Sequence, residues 1–314
     1  MLKLTTRICL VGCLGICAAF AQGNGNGNGN GNGNGNGKAI HETLPDNKAG
    51  GQAKFNQTIS YHGGPVLVNG VNVYYIWYGN WANNTATSIL PTLASHIGGS
   101  PYFNINATYY SETNNVKTPV LNLVSLAGQW FEPSSNYYPY GTNLSDANIV
   151  SIVNAAISSG KIGAPDPKGV YFVLTDASVN ESSGFCTQYC GWHANATIAS
   201  TDIKYAFIGN AARCPNACSE QTTSPNGNLG ADAMASIIAH ELEESTTDPD
   251  LNAWYDNHGY ENADKCAWTF GTTTTIPKGS PNAGALYNMN LGGLNFLIQQ
   301  NWLNIGSGSC ALKY

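Results

Sequence analysis

The pentapeptide VYFVL, residues 170–174, decides the fold class. Five consecutive β-branched, aromatic and aliphatic residues leave no polar side for water. A strand of this kind needs cover on both faces, and packed helices supply it. Reading outward, residues 144–159 carry apolar side chains at Ile149, Ile152, Val153 and Ile157, with Ser145 as N-cap. This spacing predicts a helix. Further upstream, VNVYYIWY (residues 71–78) is rich in β-branched and aromatic residues and stops at Gly79, as a strand does. A helix is expected over 87–97, with Pro91 in its first turn or kinking it, and a second strand over 119–126. Downstream, 205–208 reads as a strand and 231–246 as a helix halted ahead of Pro249. A cysteine-bearing loop is expected over 184–193. The resulting order is strand, helix, strand, helix, strand, strand, helix. It predicts an α+β domain: a mixed, α/β-like sheet with helices packed on it.

Bulk composition narrows the function. The chain has 314 residues, of which 42% are hydrophobic and only 10% charged, with a formal net charge of -6. A core is affordable at this length, and one domain is expected over 53–314. A surface built on Asn, Gly, Ser, Thr and Tyr suits an exported protein, and the missing basic stripe excludes a nucleic-acid partner. Lys3 and Arg7 precede an apolar run over 8–20 that ends at Ala19-Phe20-Ala21. This is the pattern of a cleaved signal peptide over 1–21, leaving no membrane segment after cleavage. Leu10-Val11-Gly12-Cys13 matches a lipoprotein box only loosely, because the apolar stretch before it is short. Residues 22–52 contain an unbroken Gly/Asn alternation over 23–37 that cannot bury apolar surface, so the segment is expected to be a flexible tether. Export also makes the Asn-x-Ser/Thr sequons at Asn56, Asn83, Asn106, Asn143, Asn180 and Asn195 candidate glycosylation sites.

Signal cleavage removes Cys9, Cys13 and Cys17, leaving Cys186, Cys190, Cys214, Cys218, Cys266 and Cys310. In an oxidising compartment these are expected as disulfides, the two Cys-x3-Cys segments joined to each other and Cys266 joined to Cys310. A four-thiolate zinc site is the competing use of the first four.

The chemistry concentrates in IIAHELEESTTDPD, residues 237–250. Eight of the 19 acidic residues lie between Glu241 and Asp264, and no Lys or Arg occurs between Arg213 and Lys265. Clustered carboxylates without a base call for solvent, protons or a cation. On a helix, His240 and Glu244 share a face, with Glu241 beside them. The pattern parallels His-Glu-x-x-His, in which two helix residues hold zinc and the Glu between them is the general base. Here a carboxylate replaces the second His. Metal ligands are therefore expected at His240, Glu244 and Glu261, with Glu241 as the catalytic base. Asp264 is expected to orient His240 from behind. His258 competes as a ligand, Asp256 does so more weakly, and His193 is an outside candidate. Zinc is the expected ion, and calcium, which prefers oxygen ligands, the alternative. Glu243 and Asp250 read as wet surface. His62 and His96 read as structural, and Trp77, Trp81, Trp254 and Trp302 as core or rim.

Several segments resemble the phosphate-induced protein 1 (EXORDIUM-like) family of secreted proteins: YHGGPVLVNGVNVYYIWYGNW (61–81), YFVLTDASVNESSGFCTQYCGWH (171–193), YAFIGNAARCPNAC (205–218), MASIIAHELEESTTDPDLNAWYD (234–256) and LYNMNLGGLNFLIQQNW (286–302). The resemblance implies an extracellular protein, apoplastic in plants and linked to cell growth and the brassinosteroid response, and it brings no established enzymatic activity. Some plant members are similar at Ile238, Ala239, His240, Glu241 and Glu244, and again at Glu261, Asp264 and Cys266, whereas others lack the His-Glu pair. The Gly/Asn tether is no part of the family pattern. Residues and resemblance together predict a secreted, disulfide-stapled, zincin-like domain. Its expected activity is metal-dependent hydrolysis of peptide bonds in an extracellular peptide, protein or cell-wall substrate. The alternatives are a non-catalytic growth or cell-wall protein with a structural metal or acidic site, and a calcium-stabilised carbohydrate-binding module.

Overall fold

The computed structural model describes residues 58–314. The signal peptide and tether expected over 1–52, and the sequon at Asn56, lie outside the described residues. The centre is a five-stranded sheet of β1 (Val71–Tyr78), β2 (Val124–Phe131), β3 (Gly169–Thr175), β4 (Gly191–Ile198) and β5 (Thr201–Ile208), in the spatial order β2-β1-β3-β5-β4. The first four strands of that row are parallel, and β4 runs antiparallel to β5 at the edge. Every residue of β3 is buried, as its unbroken apolar run requires. The expected strand over 119–126 is displaced: residues 116–119 form a small hairpin with 110–113, and the sheet strand begins at Val124. Strand β2 is a sheet edge whose residues alternate in exposure after Val124, so it lacks a continuous apolar run to mark it.

Helices α1 (Ala86–His96) and α3 (Leu229–Thr247) share one face of the sheet, and α2 (Asp146–Ser158) packs on the other. This split follows from the chain path. It moves outward from β1 to β2 and then returns past β1 to β3, so right-handed crossovers put their helices on opposite faces. The apolar stripe of α2 (Ile149, Ile152, Val153, Ala156 and Ile157) is buried. Asn148 closes its N-terminus by accepting from the Ser145 N–H at 2.9 Å. The Asn228 side chain caps α3 by accepting from the Ala231 N–H at 3.1 Å.

From Gly230 to Thr247, only Ala233 in α3 escapes full burial. A helix buried all round has cover on every side. The sheet lies on one side. On the other lie the turn Phe103–Thr108, the loop that follows α3 and the segment near residues 294–303. A second apolar cluster, including Tyr109, Val120, Trp254, Cys266 and Trp302, holds these outer segments together. Trp77, Trp81, Trp254 and Trp302 are all buried.

The disulfides pair as expected: Cys186–Cys214, Cys190–Cys218 and Cys266–Cys310, with Cα separations of 5.8, 5.6 and 5.6 Å. The four-thiolate zinc alternative is thereby excluded. Asn106 is fully buried and presents no acceptor for a glycan, whereas Asn83 and Asn143 are exposed. No described helix is long and apolar enough to cross a membrane.

Candidate metal centre

Three elements deliver side chains to one buried space under the sheet. Helix α3 contributes His240, Glu241 and Glu244. Strand β4 contributes His193. The loop after α3 contributes Glu261 and Asp264, and all six are at most 2% exposed. His240 Nε2 lies 3.0 Å from Glu244 Oε1, the one-turn contact that helical spacing predicts. His193 Nε2 lies 3.2 Å from Glu261 Oε2 and 3.7 Å from Glu244 Oε2. Glu241 packs at the start of β4, where a Cβ added to Gly191 would come within 3.2 Å of its Oε1.

The loop is sewn to the helix. The Asp264 N–H donates to Glu244 Oε1 at 3.0 Å, the Glu261 N–H donates to Asp264 Oδ2 at 3.2 Å, and Asn262 Nδ2 donates to the Glu243 carbonyl at 3.3 Å. Asp264 thus holds the loop's backbone. Its Oδ1 stands 3.6 Å from His240 Nε2, the nitrogen that already faces Glu244. The turn that opens the loop comes from Asp248, whose Oδ1 accepts from the N–H groups of Asn252 and Ala253 at 2.6 Å each. Burial pushes the Asp248 carboxyl up to about 7. Burial is also the first cause of the raised values of Glu244 and Glu261, followed for Glu244 by the charge of Asp264 and for Glu261 by that of Glu244.

Of the expected site residues, His240, Glu241, Glu244, Glu261 and Asp264 come together. His258 and Asp256 do not join them. Asp256 is committed to Lys265, whose Nζ sits 3.0 Å from its Oδ2, with both side chains fully buried and the ammonium 4.7 Å above the Trp302 ring. His258 is 45% exposed in its side chain and faces Asp256 from 4.0 Å. Glu243 is not wet surface. It is fully buried, and Asn301 Nδ2 donates to its Oε2 at 2.7 Å, because the C-terminal segment covers that side of α3. Asp250 pairs with the buried Lys204 at 2.8 Å. His193, the outside candidate, lies at the centre. Register explains its place: it sits opposite Ala206 on β5, on an edge strand not apparent in a cysteine-rich loop.

The chain matches the family description "Phosphate-induced protein 1 conserved region" over residues 59–312. It belongs to the phosphate-induced protein 1 family. Its relatives include Protein EXORDIUM-like 3 of Arabidopsis thaliana, 32% identical over 281 residues that cover 79% of this chain and 81% of the relative. Protein EXORDIUM-like 5 of the same plant is 28% identical over 281 residues, covering 78% and 75%. Protein PHOSPHATE-INDUCED 1 of Nicotiana tabacum is 25% identical over 227 residues, covering 64% and 68%. No solved structure matches the chain. The match takes in the whole described sheet, all three disulfides and every residue of the buried cluster, so the cluster belongs to the domain that defines the family.

Proposed function

We propose that this member of the phosphate-induced protein 1 family is an extracellular, zincin-like metal-dependent hydrolase of peptide bonds. The observation that carries the reading is the convergence of two imidazoles with the carboxylates of Glu241, Glu244 and Glu261 in a space closed to water. The nearby lysines are committed elsewhere, Lys265 to Asp256 and Lys204 to Asp202 and Asp250. Carboxylates buried in this way must hold protons or meet a compensating cation. Glu261 supplies a direct sign of fit: its buried Oε1 has no hydrogen-bond partner among the described residues. The ligand pool is His193, His240, Glu244 and Glu261. Two imidazole nitrogens favour zinc over calcium. The zincin likeness rests on the helix with its His-Glu-x-x-Glu spacing.

A bound divalent ion supplies Lewis acidity and makes water acidic near neutral pH. The chain's own residues do the rest. Glu244, whose two oxygens face the two imidazoles, would hold the ion. Asp264 fixes the backbone that presents Glu261. Glu241 takes the proton from the attacking water and returns it to the leaving amine. Secretion is supported by the three disulfides and the signal-peptide pattern.

The near-complete burial of every ligand favours a second reading, a structural ion in a non-catalytic growth or cell-wall protein, since structural sites are closed and catalytic ones keep an open position. Glu241→Gln separates the two. The hydrolase reading expects hydrolysis of a peptide library to fall by about 10²–10⁴-fold, with the fold and at least one bound ion retained. A wild-type protein that binds metal yet cleaves no member of the library establishes the structural reading instead.

A further inference from the structure

We infer that the buried cluster has two cation positions bridged by Glu244. The inference rests on the metal reading above and adds a second ion to it. Ligand atoms mutually within 4.8 Å form two sets, His193 with Glu244 and Glu261, and His240 with Glu241 and Glu244. The two histidines share neither set; Glu244 belongs to both. Its carboxylate is turned so that each oxygen serves one side, Oε1 at 3.0 Å from His240 Nε2 and Oε2 at 3.7 Å from His193 Nε2. A carboxylate presented edge-on between two imidazoles bridges a metal pair, and such pairs stand about 3.5–4 Å apart. Each position then has one imidazole and one carboxylate of its own, Glu261 for the first and Glu241 for the second. Charge agrees when Asp264 is counted: ionised Glu241, Glu244, Glu261 and the equally buried Asp264 balance two divalent ions, and the two imidazoles add none when neutral.

Glu241 cannot ligate the second ion and take a proton at the same time. Hydrolysis through Glu241 therefore requires that its carboxylate be free of the second ion.

The test is zinc stoichiometry of the full secreted chain, stripped with a chelator, dialysed to equilibrium against micromolar Zn2+ and measured by elemental analysis. Two equivalents are expected for the wild type, one for Glu241→Gln and one for Glu261→Gln. Circular dichroism checks that each variant is folded. Loading with Mn2+ supplies an independent readout, an exchange-coupled pair in the electron paramagnetic resonance spectrum that becomes an isolated-ion signal in Glu241→Gln. One equivalent in the wild type, unchanged in Glu241→Gln, overturns the two-position site and leaves a single-metal hydrolase standing. No bound zinc in the wild type overturns both.

Discussion

Lys265 shows how one residue settles what a charge count leaves open. The run from Arg213 to Lys265 has no base, yet its closing lysine turns back and buries its ammonium against Asp256. Asp256 also accepts from the N–H groups of His258 and Tyr260 at 2.8 and 3.1 Å, so this pair shapes the loop that delivers Glu261. Lys265→Met strands a buried carboxylate and is expected to cost about 3–5 kcal/mol in urea unfolding. Adding Asp256→Asn should recover much of that loss; a single variant as stable as the wild type contradicts the assignment. Glu132 is a second buried carboxylate, 6% exposed, with its Oε1 lacking a hydrogen-bond partner among the described residues. Burial raises it from 4.5 to about 7. The folded state then holds a proton that the unfolded state has released. Its contribution to stability is full below pH 4.5, is lost as pH rises to about 7 and stays lost above. Glu132→Gln should remove a loss on the order of 1–2 kcal/mol across that window, after allowance for solvent screening, read as the difference between the two stability-versus-pH curves. The helix residues of the site were legible because i, i+4 spacing is local information. His193 was not, because its membership depends on which strand lies beside β5.

At the scale of elements, that strand was hidden by its turn. Strands β4 and β5 are joined by Ala199 and Ser200, both at positive φ (47° and 63°), the geometry of a two-residue hairpin. Hairpins of this type ordinarily announce themselves with Asn-Gly or Asp-Gly, and Ala-Ser carries no such signal. Both residues hold a left-handed conformation that disfavours a Cβ. Replacing them together, Ala199→Asp with Ser200→Gly, should stabilise the domain by about 1 kcal/mol and raise Tm by about 2–4 °C. A lower Tm would show that the turn is held by contacts other than its own backbone. Strand β3 and helix α2 were legible for the opposite reason, since an unbroken apolar run and a clean 3.6-residue period each specify one element without reference to neighbours. Helix α3 was found by its spacing, but its complete burial was not, because the segments that cover it lie far away in sequence.

On the scale of the whole molecule, the buried cluster lies where the sheet, α3 and the C-terminal cover meet, and two disulfides stand next to it. Cys190–Cys218 anchors the chain one residue ahead of β4 and three ahead of His193. Cys266–Cys310 ties the Glu261–Asp264 loop to the C-terminal hairpin across 44 residues, a closure worth about 4 kcal/mol in the chain-entropy view. The central proposal is that a divalent ion lies among His193, His240, Glu244 and Glu261. The most direct measurement is a crystal structure of protein purified without chelator, with anomalous maps collected on both sides of the zinc edge. The account predicts a zinc peak beside Glu244, about 2.0–2.1 Å from an imidazole Nε2 and at a similar distance from a carboxylate oxygen. Ordered water alone between these side chains, with no anomalous peak after soaking in zinc, would contradict it.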